Sequence, residues 1–106
     1  MKLAVLNTSI VTADGTYTLE NITPDQAIQL AAAADLDSAV GHESTAQILS
    51  TILGLEVPVN RQMFAQEPGQ RALIFKLNGR PEPGKELSRQ ELEEIGFSFK
   101  LLTRTA

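Results

Sequence analysis

Hydrophobic and polar positions fall into short blocks along the chain, and the spacing inside each block assigns an element. "KLAVLN" (2–7) holds a short apolar run and reads as a first buried strand. Asp14-Gly15 is a turn signal, and "TYTLEN" (16–21) alternates after it like a strand. "TPDQAIQLAAAA" (23–34) starts a helix: Thr23 can cap, Pro24 suits the first helical position, and Gln26 completes a capping box. The alanine run then favours helix by propensity. Between Gly41 and Gly54, Ala46, Leu49, Ile52 and Leu53 share one helical face, with Glu43, Gln47 and Ser50 opposite, and Gly54 suits the C′ position.

The second half reads in the same way. "VNRQMFA" (59–65) and "RALIFKL" (71–77) flank the turn "QEPGQ" and predict a β-hairpin. "NGRPEPGKEL" (78–87) is a polar loop rich in glycine and proline. "SRQELEEIG" (88–96) is a third helix, with Ser88 and Glu91 as a second capping box, and "FSFKLLT" (97–103) closes the chain as a strand. The predicted order is β-β-α-α-β-β-α-β. It implies one α/β domain over residues 1–106, with a mixed sheet flanked by helices.

Composition narrows the chemistry. The 106 residues suit a single core, and an apolar fraction of 42% is that of a globular chain. Absence of cysteine excludes a disulfide scaffold, a thiolate nucleophile and a cysteine zinc site. The N-terminal apolar run is broken by Asn7, Thr8 and Ser9, too early for a signal peptide or a membrane span, so a cytoplasmic protein without a membrane partner is expected. The net charge of −4 argues against binding long nucleic acid, and a small dimeric DNA-binding regulator is disfavoured for the same reason. The charge is uneven, however. Residues 1–60 hold one basic residue against seven acidic ones, whereas residues 61–106 hold eight against six. Arg61, Arg71, Lys76, Arg80 and Lys85 fall close together in sequence, as a local site for a small anion or as ordinary solvated charge.

The single histidine, His42, precedes the second helix in "GHEST" (41–45). If that helix starts there, the free amide groups of its first turn suit phosphate, Gly41 permits close approach, and Ser44 and Thr45 add hydroxyl donors. An imidazole beside a phosphate can protonate a leaving oxygen; equally, His42 can be a solvent-facing residue near a helix cap. Arg61 and Arg80 offer planar donors for two phosphate oxygens, or plain surface charge. One histidine and no acidic cluster of metal-loop spacing leave no metal site and no cofactor motif, and neither a phosphate-binding glycine loop nor a nucleophile elbow is present.

Taken together, Leu6-Asn7, "GHEST", "ILG" with "VPVNR" (52–61), and Arg80 with Gly84 resemble, in order and spacing, the viral anti-CRISPR ring nucleases and related cellular ring nucleases. Nineteen residues separate His42 from Arg61, and nineteen more separate Arg61 from Arg80. The resemblance covers nearly the whole chain. It implies a homodimer that binds cyclic tetra-adenylate, the second messenger of type III CRISPR defence, and cuts it without metal into di-adenylates ending in 2′,3′-cyclic phosphate. By the same resemblance His42 and Arg80 match catalytic positions, and Asn7, Ser44, Thr45 and Arg61 match ligand-binding ones, beside Gly41, which permits close approach of the ligand to the backbone. The family's loop reads Arg-x-x-Glu-Gly; here it is Arg80-Pro81-Glu82-Pro83-Gly84, so Glu82 stands one place early as the candidate for the loop carboxylate. A protein that sequesters the ring without cutting it is the alternative that this departure leaves open.

Overall fold

The computed structural model describes residues 2–79 and 87–106. Five strands form one mixed sheet: β1 (Leu3–Leu6), β2 (Tyr17–Ile22), β3 (Leu36–Ser38), β4 (Arg71–Leu77) and β5 (Phe97–Arg104), in the spatial order β2-β5-β4-β1-β3. β1 pairs in parallel with both β3 and β4, while β5 runs antiparallel between β4 and β2. Three helices accompany the strands: α1 (Pro24–Ala32), α2 (Glu43–Leu53) and α3 (Arg89–Ile95).

The helix boundaries follow the local signals. Thr23 and Gln26 form a reciprocal capping box with Pro24 at the first helical position, and Ser88 and Glu91 form the second box. Gly54 ends α2 at φ 71°, a left-handed conformation that a side chain disfavours.

All three helices cover one face of the sheet. Ala27 and Ala31 of α1, Leu49 and Ile52 of α2, and Leu92 of α3 pack on Leu3 and Val5, Leu73 and Phe75, and Phe99. The alternate residues Ala4, Leu6, Ala72, Ile74 and Leu102 point the other way, as the two-residue period of a strand requires. They are covered by connecting chain, including Ile10 and Phe64, and by Tyr17. Each large side chain buried in this way contributes roughly 1.5–3 kcal/mol relative to exposure.

One predicted element is absent and one unpredicted element is present. Residues 59–65 form no strand, so the expected hairpin with β4 does not exist, and the observed order is β-β-α-β-α-β-α-β. Phe64 and Gln66 are buried while Met63, Ala65 and Glu67 are exposed. That alternation comes from a strap lying across the sheet face rather than from a ladder within its plane. Thr12 donates its hydroxyl to the Phe64 carbonyl (2.9 Å), and the Gln66 amide donates to the carbonyls of Gln70 and Leu102. The extra strand, β3, is only three residues long. Its pairing with β1, Leu3 to Leu36 through Val5 to Ser38, makes it a strand, and no periodicity of its own announces that. Ser50, read as a solvent-facing position, instead accepts from the Val57 amide (2.9 Å) and fixes the exit of α2.

Candidate functional site

The parallel strands β1, β3 and β4 end at one edge of the sheet, at Leu6, Ser38 and Leu77. In open α/β sheets the carboxyl edge is where ligands bind, because loops and helix starts converge there. Asn7 follows β1 directly. Val40 and Gly41 follow β3 and lead into α2. The Ala39 amide donates to the Val5 carbonyl (3.0 Å), which extends the β1–β3 contact to the start of this connection.

His42 is the N-cap of α2, with extended backbone (φ −128°, ψ 131°), and its side chain makes no capping hydrogen bond. The first intrahelical bond runs from the Ala46 amide to the His42 carbonyl (3.0 Å). Glu43, Ser44 and Thr45 therefore carry their amides ahead of the ladder, where an anion can accept from them. The imidazole is exposed, as are Glu43 and Ser44, while Thr45 is half-buried. Glu43 opposes an anion here, since its carboxylate occupies the first turn of the helix.

Arg61 supplies the opposite charge. Its Nε donates to the Gly41 carbonyl at 2.8 Å, and a Cβ added to Gly41 would stand 3.1 Å from Arg61 Cγ. The close approach that Gly41 permits is thus taken by the stem of Arg61, where the sequence suggested a ligand. The strap holds this arginine in place. The Asn60 amide donates to Val40 (2.9 Å), the Asn60 side chain to Ser38 (2.8 Å), and Gln62 to both Ser38 and Asp37. Four hydrogen bonds, from Asn60 and Gln62 on either side of Arg61 to residues around the end of β3, orient one guanidinium beside one helix start. Among the described residues its remaining donors have no partner, so they can meet a phosphate.

Farther along the same edge, a cleft of about 390 Å³ opens between the chain after β1 and strands β4 and β5. Asn7, Thr8, Ser9, Lys76, Ser98 and Lys100 line it, with Ile74 and Phe75 below. Asn7 thus joins the two halves of the edge. Lys100, Ser98, Thr8 and Ser9 were not singled out from sequence, because Lys100 joins Lys76 on one face only once β4 and β5 are paired.

The basic cluster of the sequence does not survive intact. Arg71 opens β4 while Lys76 lies near its other end, roughly 16 Å away at about 3.3 Å per residue. Arg80, Glu82 and Lys85 lie outside the described residues. Among the described residues no group of three or more histidine or acidic side chains is arranged to hold a metal ion, and no helix is long and apolar enough to cross a membrane. Neither α1 nor α2 carries a basic residue and α3 carries only Arg89, so among the described residues no helix has the character of a nucleic-acid recognition helix.

Comparison with known proteins places this architecture. The chain is similar to B116 of Sulfolobus turreted icosahedral virus, with a TM-score of 0.81 over 98% of this chain and 100% of that one at 24% identity, which speaks for the fold alone. It is 38% identical over 106 residues to protein YddF of Bacillus subtilis (strain 168), covering 98% of each chain. It is 36% identical over 83 residues to protein 26 of Sulfolobus islandicus filamentous virus (isolate Iceland/Hveragerdi), covering 77% of this chain and 70% of that protein. The family model described as STIV B116-like matches residues 3–99, and with the shared fold and the bacterial and archaeal-virus relatives it assigns this chain to the STIV B116-like family.

Proposed function

We propose that this protein is a metal-independent ring nuclease that opens cyclic tetra-adenylate into di-adenylates with 2′,3′-cyclic phosphate ends, acts as a homodimer in the host or cellular cytoplasm, and thereby silences type III CRISPR signalling. The supporting observation is the arrangement at the start of α2: an exposed His42 without a capping bond stands beside leading amides and an arginine oriented by Gly41. That is a phosphate site with a proton donor attached.

The chemistry needs little more. In RNA the ribose 2′-hydroxyl adjoins the phosphodiester and is already held near phosphorus. Its oxygen forms the new bond to phosphorus and its proton passes to solvent. The bond from phosphorus to the 5′-oxygen breaks, and that oxygen takes a proton from His42, which recovers one from water. Arg61 and the amides of Ser44 and Thr45 hold the phosphate. Arg80 offsets the charge that grows on the phosphorane, and Glu82 orients a neighbour. No redox change and no metal enter the balance. A two-fold dimer sets two copies of His42 against opposite phosphates of a four-unit ring, which accounts for two dinucleotide products.

Incubating the protein with cyclic tetra-adenylate in excess EDTA, followed by chromatography, tests this. Di-adenylate with cyclic phosphate is expected from the wild type and only intact ring from His42→Ala. The Pro83 departure in the loop favours one second reading, a sponge that binds the ring uncut. Tight binding with full recovery of the ring from wild-type protein would establish that reading instead.

A further inference from the structure

The cleft between the chain after β1 and strands β4 and β5 carries a pair of lysines that the catalytic reading leaves unused. Lys76 opposes Ser98 and Ile74 opposes Lys100 in the antiparallel register, so the two lysines are diagonal neighbours on one face. Such positions stand roughly 7–8 Å apart, and like charges on neighbouring strands oppose sheet stability. Among the described residues neither lysine has an acidic partner, and no acidic residue lines the cleft. Nor do these lysines guard a sheet edge. β4 and β5 are interior strands, flanked by β1 and β2, and edge protection is the usual reason for lysine on an exposed strand. The middle of that sheet face carries the apolar residues Ala4, Leu6, Ala72, Ile74 and Leu102. Two cations, a serine hydroxyl and the polar side chains of Asn7, Thr8 and Ser9 converge at one end of it.

We infer that Lys76 and Lys100, with Asn7, Thr8, Ser9 and Ser98, form a second phosphate site. It rests on the ring-nuclease reading in one respect: the phosphate it takes is a backbone phosphate of the ring other than the one cut beside His42. The sheet order sets the geometry. β3, which leads to His42, and β5, which carries Lys100, lie three strand spacings apart, about 14 Å, with Asn7 after β1 between them. A ligand with several phosphates can span that edge, whereas a mononucleotide reaches one end only. The lysines therefore act on affinity and on the choice of a large ring, while His42 acts on bond breaking.

Binding of cyclic tetra-adenylate to wild type, Lys76→Gln/Lys100→Gln and Lys76→Arg/Lys100→Arg, measured by calorimetry at several salt concentrations, tests the proposal. The glutamine pair is expected to weaken binding about tenfold per lysine and to reduce the dependence of log K on log salt by about 0.7 per lysine. Its single-turnover cleavage rate at saturation should fall far less than its affinity, and the arginine pair should restore affinity. Equal affinity and equal salt slope in wild type and the glutamine pair would overturn the proposal. If wild type fails to bind the ring at all, the ring-nuclease reading falls separately. Sodium tripolyphosphate then decides the cleft: shifts in the NMR signals of Lys76 and Lys100 that vanish in the glutamine pair uphold a phosphate site for another ligand, and their absence overturns it.

Discussion

The N-cap role of His42 and the proton-donor role proposed for it are separable by mutation. Its backbone caps α2 through its carbonyl, and its side chain makes no capping bond. His42→Ala should therefore change stability by no more than about 0.5 kcal/mol, as for an exposed substitution. It should slow ring opening by about 10²–10⁴-fold, the range for loss of a general acid. Thermal unfolding and single-turnover kinetics on the same preparation check both halves, and near-normal cleavage would remove His42 from the mechanism. In the loop, Arg80 should matter more than Glu82. Arginine offsets transition-state charge, and loss of such a contact costs on the order of a hundredfold in rate. Glu82 is repelled by phosphate, sits between Pro81 and Pro83, and can help only by orienting another group. Equal, severe losses for Arg80→Ala and Glu82→Ala would give Glu82 the family carboxylate's role.

At the scale of elements, the helix ends bear the sequence's clearest instructions, and they can be tested by stability alone. Thr23 accepts from the Gln26 amide, and Gln26 returns the bond to the Thr23 amide. Thr23→Ala should cost about 1 kcal/mol, the usual value of an N-cap. Gly54 has no atom within 4 Å of where a Cβ would stand, so Gly54→Ala adds no clash. Its φ of 71° nevertheless strains any side chain, and a loss of about 1 kcal/mol is expected, with Gly54→Asn recovering part of it. Chemical denaturation with unchanged m-values would verify both; a neutral Gly54→Ala would mean that α2 ends differently in solution. The strap that follows α2 is the opposite case. Its alternating burial from Met63 to Glu67 imitates a strand because one side rests on the sheet face, and only the partners of its amides reveal the difference.

At the scale of the whole molecule, the proposed two-fold dimer predicts one ring per two chains. Calorimetric stoichiometry, read with sedimentation of the free protein, checks this, and one ring per chain would contradict it. Activity should persist undiminished in excess EDTA, because the proposed step uses only the ligand's own hydroxyl, His42 and fixed cations. Loss in EDTA with recovery on adding a divalent ion would contradict that step.

What the sequence determined by itself was local. Capping boxes, the Pro24 start, the Gly54 stop and apolar spacing act within a few residues, so all three helices and four of the five strands were legible from neighbouring residues. Candidates in one short motif, from Gly41 to Thr45, were legible for the same reason. Tertiary structure decided what depends on pairing across the chain. β3 exists because β1 offers it a parallel partner, and residues 59–65 are a strap because β4 is already paired on both sides, by β1 and β5. Arg61 meets Gly41 across twenty residues, and Lys76 comes onto one face with Lys100 across twenty-four, only once strap and strands are in place. Contacts of that separation are fixed by the packing of the sheet, and no local pattern encodes them.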